Sequence, residues 1–113
     1  IDIFVGDIFD LSREILGPVD AVYDRAALVA LPETIRPRYT AHLKAITGMA
    51  PQLVIGYEYD QTVVAGPPFS VTSDELRRHY SGDYTLTLLA RLDVPGGLKG
   101  KCPATEHIWR LTK

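Results

Sequence analysis

The chain has 113 residues, 46% hydrophobic, 9% aromatic and 23% charged, which is the profile of one ordinary globular domain and too apolar for a disordered chain. Its 12 Lys and Arg against 14 Asp and Glu leave a net charge of -2, no electrostatic footprint for a nucleic-acid backbone or an anionic membrane. The 9 Gly and 8 Pro are scattered, which excludes collagen and low-complexity tails. The lone Cys102 cannot close an internal disulfide, and no Cys/His cluster has zinc-ligand spacing, so a reduced cytoplasmic setting and no metal are expected. No apolar run approaches the ~20 residues of a membrane span, and the start lacks the basic and apolar regions of a leader. A first residue of Ile1 rather than Met predicts a piece of something longer.

In chain order, Ile1 to Val5 is β-branched and aromatic and stops at Gly6-Asp7, which predicts a short strand delivering Asp7 to its carboxyl end. Val19 to Asp24 reads as a second, buried strand, and Arg25 to Leu31 as helical by composition, stopped by Pro32. Ile35, Tyr39, Leu43 and Ile46 recur at spacings of four, four and three, which predicts a helix with Thr34 as N-cap, Pro37 in its first turn and Gly48 as its stop. Leu53 to Tyr59 is a third strand, followed by a loop containing Gly66-Pro67-Pro68-Phe69. Thr72 and Glu75 have capping-box spacing and open a helix through Tyr80. Tyr84 to Leu92 and Glu106 to Leu111 read as two closing strands around a Gly and Lys loop, Val94 to Pro103. The alternation predicts a parallel α/β sheet with an antiparallel finish.

In such a sheet ligands sit outside the carboxyl ends of the strands, so Asp7, Asp24-Arg25 and Glu58-Tyr59-Asp60 are the candidate positions. Asp7 either accepts hydrogen bonds from a ligand amino group or ribose, or caps the turn after Gly6. Arg25 either presents its fork to a carboxylate or its plane to an aromatic ring, or forms a structural ion pair with Asp24 or Asp20. Glu58 and Asp60 are a possible acid-base pair, but acids beside a loop are usually solvated. His42, His79 and His107 read as surface or packing residues, Trp109 as core or half-core, and the Arg36-Pro37-Arg38 and Arg77-Arg78 clusters as solvated helix surface. No P-loop or G-x-G-x-x-G occurs.

Three blocks carry a more specific signal: Ile8-Phe9-Asp10-Leu11, Tyr23-Asp24-Arg25-Ala26-Ala27-Leu28-Val29-Ala30-Leu31-Pro32 and Gly66-Pro67-Pro68-Phe69-Ser70-Val71. In this order and at these separations they resemble the thiopurine S-methyltransferase family, in its bacterial type. The resemblance implies an α/β, Rossmann-like class I S-adenosylmethionine-dependent methyltransferase fold, mostly parallel with an antiparallel last strand. Residues 1–113 would supply the third to seventh strands, the carboxyl-terminal part of a single domain. The glycine-rich loop and the acidic residue that hold the cofactor's methionine and ribose would then lie upstream of Ile1. In the family's sheet the first strand lies between the second and the fourth, so the Tyr23 strand is expected to have an open edge and the Ile1 strand no native neighbour.

The resemblance further implies methyl transfer from S-adenosylmethionine to the sulfur of thiopurines or related aromatic and heterocyclic thiols. Small thiols, halides and selenium or tellurium species are the alternative acceptors, and a non-catalytic ligand-binding module is the alternative of another class. Residue by residue, Asp7 and Ile8 lie where the family meets the adenine end of the cofactor. Arg25 matches the arginine associated with both cofactor and substrate pocket. Phe69, in the Tyr59 to Phe69 wall, either contacts an aromatic substrate or packs in the core. No catalytic side chain, metal or covalent intermediate is implied. The partner is a small-molecule thiol or metalloid, with no nucleic acid and no membrane, the full-length protein a monomer, and the isolated chain inactive. A second substrate-side arginine expected between the last two strands has no counterpart; Lys99 supplies charge there without the fork.

Overall fold

Four β-branched and aromatic runs pair into one mixed sheet, and two helices cover one of its faces. A computed structural model describes residues 1–113. After a 3-10 turn at Ile8–Asp10 come α1 (Arg13–Leu16), β1 (Val22–Asp24), a 3-10 turn at Leu28–Ala30, α2 (Arg36–Ile46), β2 (Gln52–Tyr59), α3 (Ser73–Tyr80), β3 (Thr85–Asp93) and β4 (Ala104–Thr112). The sheet order is β1-β2-β4-β3. β1 runs parallel to β2, with Tyr23 opposite Leu53, and β4 inserts antiparallel between β2 and β3, with Trp109 opposite Val54 and Leu88. The α2 crossover between β1 and β2 is the geometry a parallel pair requires, and the hairpin-like end is the expected antiparallel finish.

The core lies between the helices and the face of the sheet that carries Val54, Trp109 and Leu111. Tyr39, Leu43 and Ile46 of α2 and Leu76 and Tyr80 of α3 pack there with Leu28, Val29 and Val71. Each such fully buried aliphatic or aromatic side chain contributes on the order of 1.5–3 kcal/mol. The predicted periodicity of α2 therefore holds, and Gly48, at φ 62, ends the helix in the left-handed conformation that favours glycine. Its start differs: Ile35 occupies the N-cap position without a side-chain bond, and Pro37 sits in the first turn.

Two expectations fail for physical reasons. Ile1 to Val5 forms no strand, and Ile1, Ile3 and Val5 stand fully or largely exposed. A strand exists by pairing, and no segment of residues 1–113 pairs with this one, so propensity alone leaves it extended coil and the sheet has four strands. Arg25 to Leu31 makes only the turn at Leu28–Ala30, because Ala26 adopts φ 65 and the Asp24 side chain takes the Leu28 N–H. No helix is long and apolar enough to cross a membrane.

Candidate active site

The carboxyl end of β1 is built around a buried carboxylate. Asp24 is 2% exposed; its Oδ1 accepts from Leu28 N at 3.1 Å and its Oδ2 from the Tyr39 hydroxyl at 2.9 Å. Burial pushes the Asp24 carboxyl above the usual carboxylate range, while bonds from Leu28, Tyr39 and Ala27 pull it back. The chain needs this anchor, since Ala26 is a non-glycine residue in the left-handed region. Arg25 rides on the same turn, exposed, and forms no ion pair with Asp24, Asp20 or any other acid. The structural ion-pair reading of Arg25 therefore does not hold.

Phe69 is joined to that turn through the backbone: its N–H donates to the Val29 carbonyl at 2.6 Å. Its half-buried ring lies on Gly66, where an added Cβ would stand 2.7 Å from Phe69 Cδ1, so only glycine admits this stacking. Beside the ring, 5.5 Å from its centroid, is the guanidinium of Arg36. Arg36 is not solvated helix surface as predicted: it is 3% exposed, donates Nε to the Leu31 carbonyl at 2.9 Å and meets Glu75 Oε1 at 2.7 Å. Glu75 Oε2 also meets His79 Nε2 at 2.9 Å. The capping box thus forms by half: Thr72 Oγ1 accepts from Glu75 N, but the Glu75 carboxylate turns inward to Arg36.

Asp7 and Ile8 sit in the segment before α1. Asp7 Oδ1 accepts from Phe9 N at 2.9 Å, the turn-capping role, and no intramolecular bond uses its Oδ2. Both residues line a cleft of about 340 Å³ with Phe4, Val5, Asp10, Leu11 and Ile15, an apolar wall beside two carboxylates. This segment is docked on α2: His42 Nε2 lies 2.8 Å from the Ile8 carbonyl, and Arg38 stacks 3.8 Å over the Phe9 ring. Helix α2 is therefore the common support of all three candidate regions, through Arg38 and His42 for Asp7 and Ile8, Tyr39 for the Arg25 turn, and Arg36 for Phe69.

A second polar group spans the far strands. Glu58 Oε2 lies 3.1 Å from His107 Nε2 and 3.5 Å from Arg91, and Thr105 Oγ1 is 2.9 Å from the same imidazole nitrogen. His107 is 1% exposed, and burial holds its pKa below the ordinary value against the pull of Glu58. Asp60 takes no part; Thr62 satisfies it, so Glu58 and Asp60 are not an acid-base pair. The Val94 to Pro103 loop encloses a cleft of about 530 Å³ lined by Asp93, Lys101 and several glycines.

A sequence model of the family described as thiopurine S-methyltransferase (TPMT) matches residues 1–113, the whole of the chain. The chain belongs to the thiopurine S-methyltransferase family. Among relatives, it is 57% identical over 113 residues to a thiopurine S-methyltransferase of Xanthobacter autotrophicus, covering 100% of this chain and 53% of that protein. A thiopurine S-methyltransferase of Gluconobacter oxydans is 52% identical over 112 residues, 99% of this chain and 51% of its own. One from Teredinibacter turnerae is 48% identical over 113 residues, 100% of this chain and 53% of its own. The chain thus spans about half the length of the curated relatives it matches.

Within the family's fold the four strands, in the order β1-β2-β4-β3 with β4 antiparallel to its neighbours, are part of a Rossmann-like α/β sheet of class I methyltransferases. The thiopurine S-methyltransferase-like blocks contain Arg25, Phe69 and Ile8, with Asp7 just before the first, and all four candidates lie on segments that contact α2. Sequence reasoning named Asp24 as a candidate position rather than a support, and missed Tyr39, Arg36 and Glu75 as supports. The one available signal was polar residues on the helix face that also carries Leu43 and Ile46: Arg36, Tyr39 and Thr40 are all buried there.

Proposed function

We propose that the full-length protein transfers the methyl group of S-adenosylmethionine to the sulfur of thiopurines or related aromatic and heterocyclic thiols. The observation that carries this reading is an arginine with no partner inside the chain, held at the carboxyl end of a parallel strand by a turn of family-specific sequence. When bound, S-adenosylmethionine supplies an electrophilic methyl group on a sulfonium centre. The residues present suit it: the cleft at Asp7 and Ile8 offers an acceptor for an exocyclic amino group and an apolar wall for a purine ring.

Arg25 fixes the anionic or polar group of the ligand beside the reacting atoms, and Phe69 closes the ring side of the acceptor. Alignment of this kind supplies much of the acceleration of a displacement that needs no covalent enzyme intermediate. The rest of the cofactor grip comes from a glycine-rich loop upstream of Ile1. The full-length protein is read as a cytoplasmic monomer, and the lone cysteine supports the reduced compartment. Small thiols, iodide and selenite belong in the same acceptor panel, because Lys99 and Lys101 supply cations without a fork in the Val94 to Pro103 loop.

Calorimetry tests the reading. The full-length protein is expected to bind S-adenosylmethionine in the micromolar range and residues 1–113 alone to show no such binding. A full-length protein without cofactor binding would instead be a non-catalytic ligand-binding module.

A further inference from the structure

We infer that Asp24 and Tyr39 form a positioning device that aims Arg25, an inference that rests on the ligand-holding role proposed for Arg25. Asp24 is the last residue of β1 and Arg25 the next, so the carboxylate that ends the strand fixes the first residue beyond it. Its two oxygens divide the work. Oδ1 holds Leu28 N, which closes the turn at its far end, and Oδ2 holds the Tyr39 hydroxyl, which ties the turn to the second turn of α2.

Between these fixed points Ala26 is kept at φ 65, a conformation that an alanine leaves when nothing holds it. Arg25 has no ion pair of its own to set its direction, so its aim derives from the backbone of this turn. Tyr39 is 6% exposed and α2 is packed by Leu43 and Ile46, so the hydroxyl is a rigid support. A carboxylate retained in a nearly water-free site, where it is costly, is explained by the two donors it organises.

A double-mutant cycle in the full-length protein separates positioning from mere stability. Tyr39→Phe, which deletes one hydrogen bond to a charged group and keeps the ring, is expected to lower kcat/KM for the thiol by roughly 10-fold. In an Arg25→Ala background the same change is expected to leave kcat/KM unaltered, while the melting temperature falls equally in both backgrounds. Equal fractional losses of kcat/KM in both backgrounds would overturn the inference, since the hydroxyl would then act without Arg25. An Arg25→Ala single variant with full activity would overturn the ligand-holding reading itself and this inference with it. Should Tyr39→Phe not fold, Asp24→Asn keeps an acceptor for Leu28 N and turns a donor toward the Tyr39 hydroxyl; an Arg25-dependent loss supports the device, and unchanged kcat/KM contradicts it.

Discussion

Arg36 and Glu75, 39 positions apart in sequence, meet at 2.7 Å between α2 and α3, with side chains only 3% and 11% exposed. This pair ties the two helices together beside Phe69, whose ring lies 5.5 Å from the Arg36 guanidinium. Removing one partner strands a buried charge, so Glu75→Leu is expected to cost about 3–5 kcal/mol in chemical denaturation. Replacing both, Arg36→Met with Glu75→Leu, is expected to restore most of that loss. A double variant as unstable as the single one would show that the pair contributes something beyond mutual neutralisation.

At Ala26 the expected change is a gain. Its φ of 65 costs an L-residue about 1–2 kcal/mol, and glycine removes that cost while adding about 0.5–1 kcal/mol of chain entropy. Ala26→Gly should therefore stabilise by up to about 1 kcal/mol, whereas Ala26→Val should destabilise by more than that. Denaturant midpoints of the two variants check the order.

The pH dependence of stability has three limbs with separate causes. His107 is held below its ordinary pKa, so below about pH 6.5 the unfolded chain takes a proton that the folded chain refuses. Stability is complete above that pH and lost as pH falls through it. Asp24 has the opposite sign: its carboxyl is raised, so protonation below the raised value relieves a buried charge and stability is gained towards the ordinary carboxylate pKa. Tyr39 and Tyr80 are both held protonated by burial, so stability falls as pH climbs past about 10. Comparing melting temperatures at pH 7.5 and 5.5 isolates the first limb, which should shrink in His107→Gln while the alkaline limb stays.

β1 pairs only with β2, and Tyr23 on it is 61% exposed beside the unpaired outer edge. An open, apolar edge templates pairing with another chain. Residues 1–113 alone are expected to self-associate as concentration rises, and Tyr23→Lys to suppress it. Light scattering across a dilution series reads the outcome; a wild-type chain monomeric at every concentration would contradict it.

Much of the fold was legible in the sequence because local signals and tertiary packing agree. The four-four-three spacing of Ile35, Tyr39, Leu43 and Ile46 predicted α2, and the β-branched runs predicted β2, β3 and β4 to within two residues. The failures come where the deciding partner is distant. Ile1 to Val5 has strand propensity and no strand to pair with. The composition of Arg25 to Leu31 is helical, yet one carboxylate captures Leu28 N and a left-handed alanine breaks the run. Alternation along β3 predicted a plain strand; the register shift between Leu88 and Ala90 brings Arg91 opposite His107, on the face that Trp109 shares. Candidate site residues were named from family-like blocks, whereas Arg36 was read as solvated helix surface and Glu75 as a capping-box acid, because nothing local in the sequence announces an ion pair 39 positions long.

Arg25 is the proposed ligand-holding residue of a methyltransferase. Its most direct test is the transfer of labelled methyl from S-adenosylmethionine to a thiopurine by the full-length protein, compared with Arg25→Ala at matched folding. Loss of a hydrogen bond from a charged group predicts a fall of roughly 10- to 150-fold in kcat/KM. Equal turnover by the two proteins, or none by the wild type with any acceptor in the panel, would contradict it.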